Sequence, residues 1–285
     1  MHLKIMGITD SPKYYLGNEL VRDGNRIHVS SKKYVNGIMR KYKKKHGEPK
    51  KEVHPMRVKE HPGLDDYPLF NEKEHNYFQK IIGVYQWIIV SDIFDLEYSV
   101  SSLSMILTSP RVDHISMFIR IFGYLKNHLK RGYAIISQPL NIDANYEKVH
   151  MKYYFGNQYA YSSEDIDEQF PEPLPDELDI YIFVYAKHGR DKVTGRSITG
   201  LFSVVVSTPT KISSKNQTTV KTSTFGAELT VLKNAVKESV MLRYHLISTS
   251  INVPKPTPVF VDSTSVVSKA TNPGSTLNKK TVVLS

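Results

Sequence analysis

The stretch Ile180-Tyr181-Ile182-Phe183-Val184-Tyr185-Ala186 decides how the second half of the chain is read. Seven consecutive β-prone residues, too short for a helix of ordinary length, describe a strand. Leu201–Val206 repeats the pattern, and Lys211–Ser214 reads as a third, shorter strand. Phe225, Leu229, Leu232, Val236 and Val240 then recur at helical spacing and predict a long helix with those side chains inward. Pro258–Val261 reads as one more strand and Ser263–Ala270 as a short helix. Strands first, then helix, strand and helix, give an α/β fold with a mixed sheet.

Upstream of this block the grammar differs. Asp23-Gly24 between the β-prone runs Tyr14–Val21 and Arg26–Ser30 signals a hairpin. Tyr77, Phe78, Ile81, Ile82 and Tyr85 mark a helix, and Ile93, Leu96, Val100, Leu103 and Leu107 a second. Ser109-Pro110 predicts the start of a third, with a stripe through Ile115, Phe118, Ile119, Phe122, Leu125 and Leu129 and a stop at Gly132. The expected architecture is a hairpin and helices over 1–140, a linker over 141–179 and a mixed sheet with flanking helices over 180–285. The linker expectation rests on like charge and on Pro171, Pro173 and Pro175.

Charge follows the same division. Of 285 residues, 38 are Lys or Arg and 28 are Asp or Glu. Residues 1–60 carry a net +9, 61–140 a net −1, 141–179 a net −8 and 180–285 a net +10. Two basic blocks flank an acidic one, a distribution that favours polyanion partners. There is no cysteine, which excludes disulfides and thiolate zinc sites. The longest apolar run, Ile81–Val90, is too short for a membrane helix, and no signal-peptide pattern opens the sequence. A soluble intracellular protein, cytoplasmic or nuclear and without a membrane partner, is expected.

Few residues carry chemistry unaided. Arg40-Lys41-Tyr42-Lys43-Lys44-Lys45 reads either as a phosphate-binding patch with an interleaved aromatic or as a solvated basic face. Asp65-Asp66 sits in loop chemistry between His61-Pro62-Gly63 and Tyr67-Pro68, not on a rigid catalytic element. Eleven histidines form no His-x-x-x-His cluster, Gly195 and Gly200 make no phosphate loop, and Trp87 is read as core. Glu228 opens the long helix and Asp262 ends a strand. Facing carboxylates of this kind suit a hard divalent cation, although a strand-end aspartate also serves as a helix cap.

An ordered series of short motifs resembles the Pol polyprotein of copia-type LTR retrotransposons. Tyr15-Leu16-Gly17, Arg22-Asp23-Gly24, Ile27-His28-Val29-Ser30 and Lys33-Tyr34-Val35 resemble the segment after the reverse-transcriptase active site. His54-Pro55-Met56, Ile82-Gly83-Val84-Tyr85-Gln86-Trp87, Val100-Ser101-Ser102-Leu103-Ser104, Ser109-Pro110-Arg111, His114 and Gly123-Tyr124-Leu125-Lys126 continue in family order. Asp191-Lys192-x-Thr194-x-Arg196-Ser197-x-Thr199-Gly200 is similar to the family's ribonuclease H signature. Ser214-Lys215-x-Gln217, Ser223-Thr224-Phe225-Gly226-Ala227-Glu228 and Val261-Asp262 follow.

The resemblance implies thumb and connection helices followed by a ribonuclease H-like domain, with a mixed five-stranded sheet. It implies RNA-directed DNA synthesis and two-metal hydrolysis of RNA in RNA–DNA hybrids as ancestral chemistry, with Mg2+ as cofactor. It also implies damage. No Tyr-x-Asp-Asp occurs, so a polymerase palm would have to come from another chain. Tyr185 and Lys187 stand where the family's first strand carries Asp-x-Asp. Glu228 and Asp262 match the second and third carboxylates, and the sequence reaches Ser285 before a fourth. A decayed or truncated copy without hydrolytic activity is expected. The alternative is a non-catalytic module binding RNA–DNA hybrid or duplex. Its contacts would be Lys41, Lys43, Lys44 and Lys45 in the first block and Arg190, Lys192, Arg196, Lys215 and Lys221 in the second.

Overall fold

The computed structural model describes residues 12–57, 60–142, 166, 168–271 and the strand Val283–Leu284. The centre of the expected linker lies outside the described residues. The chain divides into two units, Met1–Ser137 and Gln138–Ser285.

The first unit opens with β1 (Tyr14–Tyr15), β2 (Asn18–Asp23) and β3 (Arg26–Ser30), followed by α1 (Lys32–His46). The Asp23-Gly24 signal marks the β2–β3 hairpin, in which Asp23 pairs with Arg26 across a two-residue turn. A second turn joins β1 to β2 at Leu16-Gly17, where both residues adopt positive φ, +47° and +81°. A Cβ at Gly17 would lie 3.2 Å from the Trp87 ring, and Tyr34 meets that ring with centroids 4.0 Å apart. Trp87 is therefore a half-buried clamp on the hairpin and not a core residue.

Helix α2 (Glu72–Ser91) starts at a capping box. Asn71 Oδ1 accepts from the Glu74 N–H and Glu74 Oε2 accepts from the Asn71 N–H, each at 3.0 Å. Next come α3 (Glu97–Ser104), α4 (His114–Asn127) and β4 (Tyr133–Ile136), which pairs antiparallel with β3. The core is aromatic and aliphatic, with Phe78, Tyr85, Phe118 and Phe122 fully enclosed. The Tyr85 hydroxyl donates to the Phe118 carbonyl at 2.7 Å, which satisfies a buried phenol.

Ser109-Pro110 does not start α4. Phe70 N–H donates to the Pro110 carbonyl and Val112 N–H to the Pro68 carbonyl, so this backbone is spent on an antiparallel bridge, and the helix begins at His114. Gly132 does not stop it either. The helix ends at Asn127, and Gly132 lies so close to the Val29 carbonyl that a Cβ would meet it at 2.3 Å.

The second unit is a four-stranded mixed sheet, ordered β7-β6-β5-β9, made of β5 (Ile180–Lys187), β6 (Ile198–Val205), β7 (Thr208–Asn216) and β9 (Val259–Val261). β5 is antiparallel to β6 and parallel to β9. A short β8 (Val220–Lys221) pairs with β10 (Val283–Leu284) outside this sheet. Helix α5 (Thr224–Ile247) covers one face and α6 (Thr264–Thr271) follows β9. The mixed α/β class is the observed one, with four strands in the main sheet among the described residues, where the resemblance implies five.

Ile180, Ile182, Val184 and Ala186 face Ala227, Val231 and Ala235 of α5. The expected helix stripe is thus out of phase. Small alanines, not Val236 and Val240, meet the sheet, and those two valines are about half exposed, at 51% and 48%. The stretch expected to be linker is in part anchored: Leu174 N–H donates to the Ser250 carbonyl and Leu178 N–H to the Asn252 carbonyl. No helix among the described residues is long and apolar enough to cross a membrane.

Candidate functional site

In the second unit, one end of the sheet gathers the residues singled out from sequence. The parallel pairing of Val184 with Val261 puts Tyr185 and Asp262 at equivalent positions on neighbouring chain segments, Asp262 just past the end of β9. Because β9 stops there, the Ala186 N–H has no β9 partner and donates to the Glu228 carboxylate. Ser223 positions that glutamate. Its hydroxyl accepts from the Gly226 N–H at 3.1 Å and fixes the first turn of α5. Gln217, buried beneath this turn, donates to the Ala227 carbonyl at 3.0 Å and to Thr199 Oγ1 at 3.2 Å.

Glu228 is almost fully enclosed, at 3% exposure, and its Oε2 has no hydrogen-bond partner among the described residues. Burial raises its carboxyl pKa, and the nearby Asp262 charge raises it further; the Ala186 N–H partly offsets both. Asp262 and Tyr185 are exposed. The capping alternative for Asp262 fits less well: Ser263 occupies the residue before α6, and its carbonyl accepts from Val266 and Val267.

The donor set does not fit a two-metal magnesium centre. Two carboxylates and a phenol stand where bridging carboxylates are needed, and no group of three His, Asp or Glu residues suited to a metal gathers among the described residues.

The second cation block is held by a loop built on Asp191. Its carboxylate accepts from Thr194 Oγ1 at 2.5 Å, Val193 N–H at 3.0 Å, Thr194 N–H at 3.3 Å and Asn216 Nδ2 at 3.0 Å. Burial pushes this carboxyl up, but the four donors together hold it below its ordinary range. The loop presents Lys192 and Arg196 to solvent, and Lys215 is exposed on β7. Arg190 is half-buried. Lys221 is half-buried too and donates to Thr219 Oγ1 at 2.8 Å.

In the first unit the structure sorts the basic run by face. Tyr42, read as an interleaved contact, is buried against Phe122 with centroids 4.2 Å apart and is not available for stacking. Lys43 pairs with Glu48 at 2.8 Å, and the Lys45 ammonium lies 3.3 Å from the centre of the Tyr77 ring. Lys41 and Lys44 remain exposed and make no ion pair among the described residues. Lys33, which sequence reasoning did not count as a contact, and Arg40, part of the basic run but not among its named contacts, share their side of α1. The signal was available as helical spacing. Compared with protein-family models, curated proteins and solved structures, the chain matches none.

Proposed function

We propose that this chain is a nucleic-acid-binding relative of the reverse transcriptase and ribonuclease H region of copia-type retrotransposon Pol, and that it lacks hydrolytic activity. The observation that carries the reading is the sheet end, where Glu228 and Asp262 approach one another while Tyr185 occupies the third corner. Hydrolysis of a phosphodiester by two metals requires carboxylates that bridge and neutralise both ions. A phenol at the third corner and the Lys187 ammonium two residues on supply neither. Mg2+ is therefore not expected to bind productively.

The chain keeps exposed cations that make no ion pair among the described residues, including Lys41 and Lys44 in the first unit and Lys192, Arg196 and Lys215 in the second. Such side chains neutralise phosphates and release counterions without reading sequence. The partner class is RNA–DNA hybrid or duplex. The mixed α/β class, and the order strands, helix, strand, helix in the second unit, are compatible with this reading.

The test is a labelled RNA–DNA hybrid incubated with the purified chain in magnesium and then in manganese. Binding is followed in the same samples, and Glu228→Gln serves as the control. Salt-dependent binding without cleavage is expected. Metal-dependent cleavage that disappears in Glu228→Gln would overturn the claim of inactivity.

A further inference from the structure

Helix α1 contains no acidic residue. Its inner face is Val35, Met39 and Tyr42, all buried. At 100° per residue, the opposite face carries Lys33, Gly37, Arg40, Lys41 and Lys44. The four cations are exposed, and Arg40, Lys41 and Lys44 make no ion pair among the described residues. The Lys33 ammonium lies 5.2 Å from the ring centroid of the exposed Tyr14.

This face works against the helix that bears it. Arg40 and Lys44 are like charges at i and i+4, as are Lys41 and Lys45. Gly37 weakens the helix relative to alanine, and packing does not require it: a Cβ there would meet nothing within 4 Å, and φ is not positive. A cost in stability without a compensating contact among the described residues points to a contact outside the protein.

We infer that α1 is a phosphate-binding ridge, on which Gly37 lets the backbone of a nucleic-acid strand approach the helix between the flanking cations. From Lys33 to Lys44 the ridge is about 16 Å long, at about 1.5 Å per residue, enough for several successive phosphates. A membrane surface fits less well, because a helix lying on lipid presents an apolar face to it, and the apolar face of α1 is buried in the first unit. This inference rests on the nucleic-acid reading above and locates its contact.

The experiment measures anisotropy of a labelled RNA–DNA hybrid with the full chain over a salt series. The wild type is compared with the triple variant Arg40→Ala/Lys41→Ala/Lys44→Ala and with Gly37→Gln. The triple variant is expected to lower the slope of log K against log salt by about 2–3, at about 0.9 per lost phosphate contact. Gly37→Gln is expected to bind several-fold more weakly while its thermal midpoint stays level or rises, a combination that damage to the fold cannot produce. If both variants bind as the wild type does, the ridge is wrong and nucleic-acid binding stands. If the wild type binds no hybrid at any salt, the broader reading fails. Co-sedimentation with phosphatidylserine vesicles in place of hybrid binding would overturn the choice of partner.

Discussion

Ser31 and Asp92, sixty-one residues apart, are joined twice: the Ser31 N–H donates to Asp92 Oδ2 at 2.6 Å and the Ser31 hydroxyl to Asp92 Oδ1 at 2.5 Å. Both residues are buried. Ser31 precedes α1 without capping it through its own side chain, so the carboxylate at the end of α2 takes over an N-terminal donor of another helix. Burial raises the Asp92 carboxyl pKa, and the two Ser31 donors only partly offset the effect.

Replacement of this aspartate separates hydrogen bonding from charge. Asp92→Ala leaves a buried N–H and a buried hydroxyl without acceptors and is expected to cost about 2–4 kcal/mol. Asp92→Asn keeps an acceptor for the N–H, donates to the hydroxyl oxygen and sheds the buried charge, so it should cost less than about 1 kcal/mol. Urea denaturation of the two variants decides the matter. Equal losses would show that the ionic charge itself holds the junction.

His114 predicts a pH dependence. Its Nδ1 accepts from the Arg111 N–H at 2.8 Å, which leaves the proton on Nε2 to be donated to the Pro62 carbonyl at 2.8 Å. The neutral ring is thus fully used, and the Asp65 carboxylate at 3.3 Å is a neighbour and not an ion-pair partner. Burial lowers the His114 pKa, against smaller opposing effects of the Pro62 carbonyl and of the Asp65 and Asp113 charges. The unfolded chain then takes up a proton near pH 6.5 that the folded chain refuses, so stability falls as pH drops below that value. The slope from this one proton is at most about 1.4 kcal/mol per pH unit. Chemical denaturation between pH 7.5 and 5 should show it, and His114→Gln should reduce it. An undiminished slope in the variant would place the titration elsewhere.

Two glycines should respond in opposite directions to the same substitution. At Gly123 a Cβ would lie 2.2 Å from the Lys50 carbonyl oxygen, in a segment already fixed by Glu52 N–H donating to the Gly123 carbonyl at 3.1 Å. Gly123→Ala is expected to destabilise by about 1–3 kcal/mol through backbone displacement. At Gly83, within α2, a Cβ would meet nothing within 4 Å, and Gly83→Ala should stabilise by about 0.5–1 kcal/mol. Thermal melts of the pair would reject the packing argument if the signs agreed.

Much of the second unit was legible because β5 and β6 are unbroken β-prone runs, which local preference identifies. The turn between β6 and β7 was not, since it places Val206, not a glycine, at φ +60°. Leu16 at φ +47° hid the first hairpin in the same way. The α5 stripe was misphased for a different reason. Counting large apolar side chains favours Val236 and Val240, whereas close approach of a helix to a sheet favours Ala227 and Ala235. Ser109-Pro110 misled because the backbone partner of Pro110, Phe70, lies forty residues away. At the candidate site, Glu228 and Asp262 came from motif order, and spacing alone left them ambiguous. Charge counting found the basic run, but only helical phase separates Lys41 and Lys44 from Lys43, Lys45 and the buried Tyr42.

Glu228 yields the last prediction. Burial first, then the Asp262 charge, raises its folded pKa, so the folded chain holds this proton to a higher pH than the unfolded chain does. Its contribution to stability is therefore complete below about pH 4.5 and declines as pH rises through the raised value. Glu228→Gln removes the ionisation but keeps an oxygen for the Ala186 N–H. The variant should melt higher than the wild type at pH 7, by a few degrees, and the difference should vanish towards pH 4. A cation bound between Glu228 and Asp262 would reverse the comparison, because occupancy stabilises the folded wild type by mass action and the variant less. Millimolar magnesium is expected to leave both midpoints unchanged. A rise confined to the wild type would mean that two carboxylates suffice to hold a divalent ion, and the case against a productive metal site would have to be reopened.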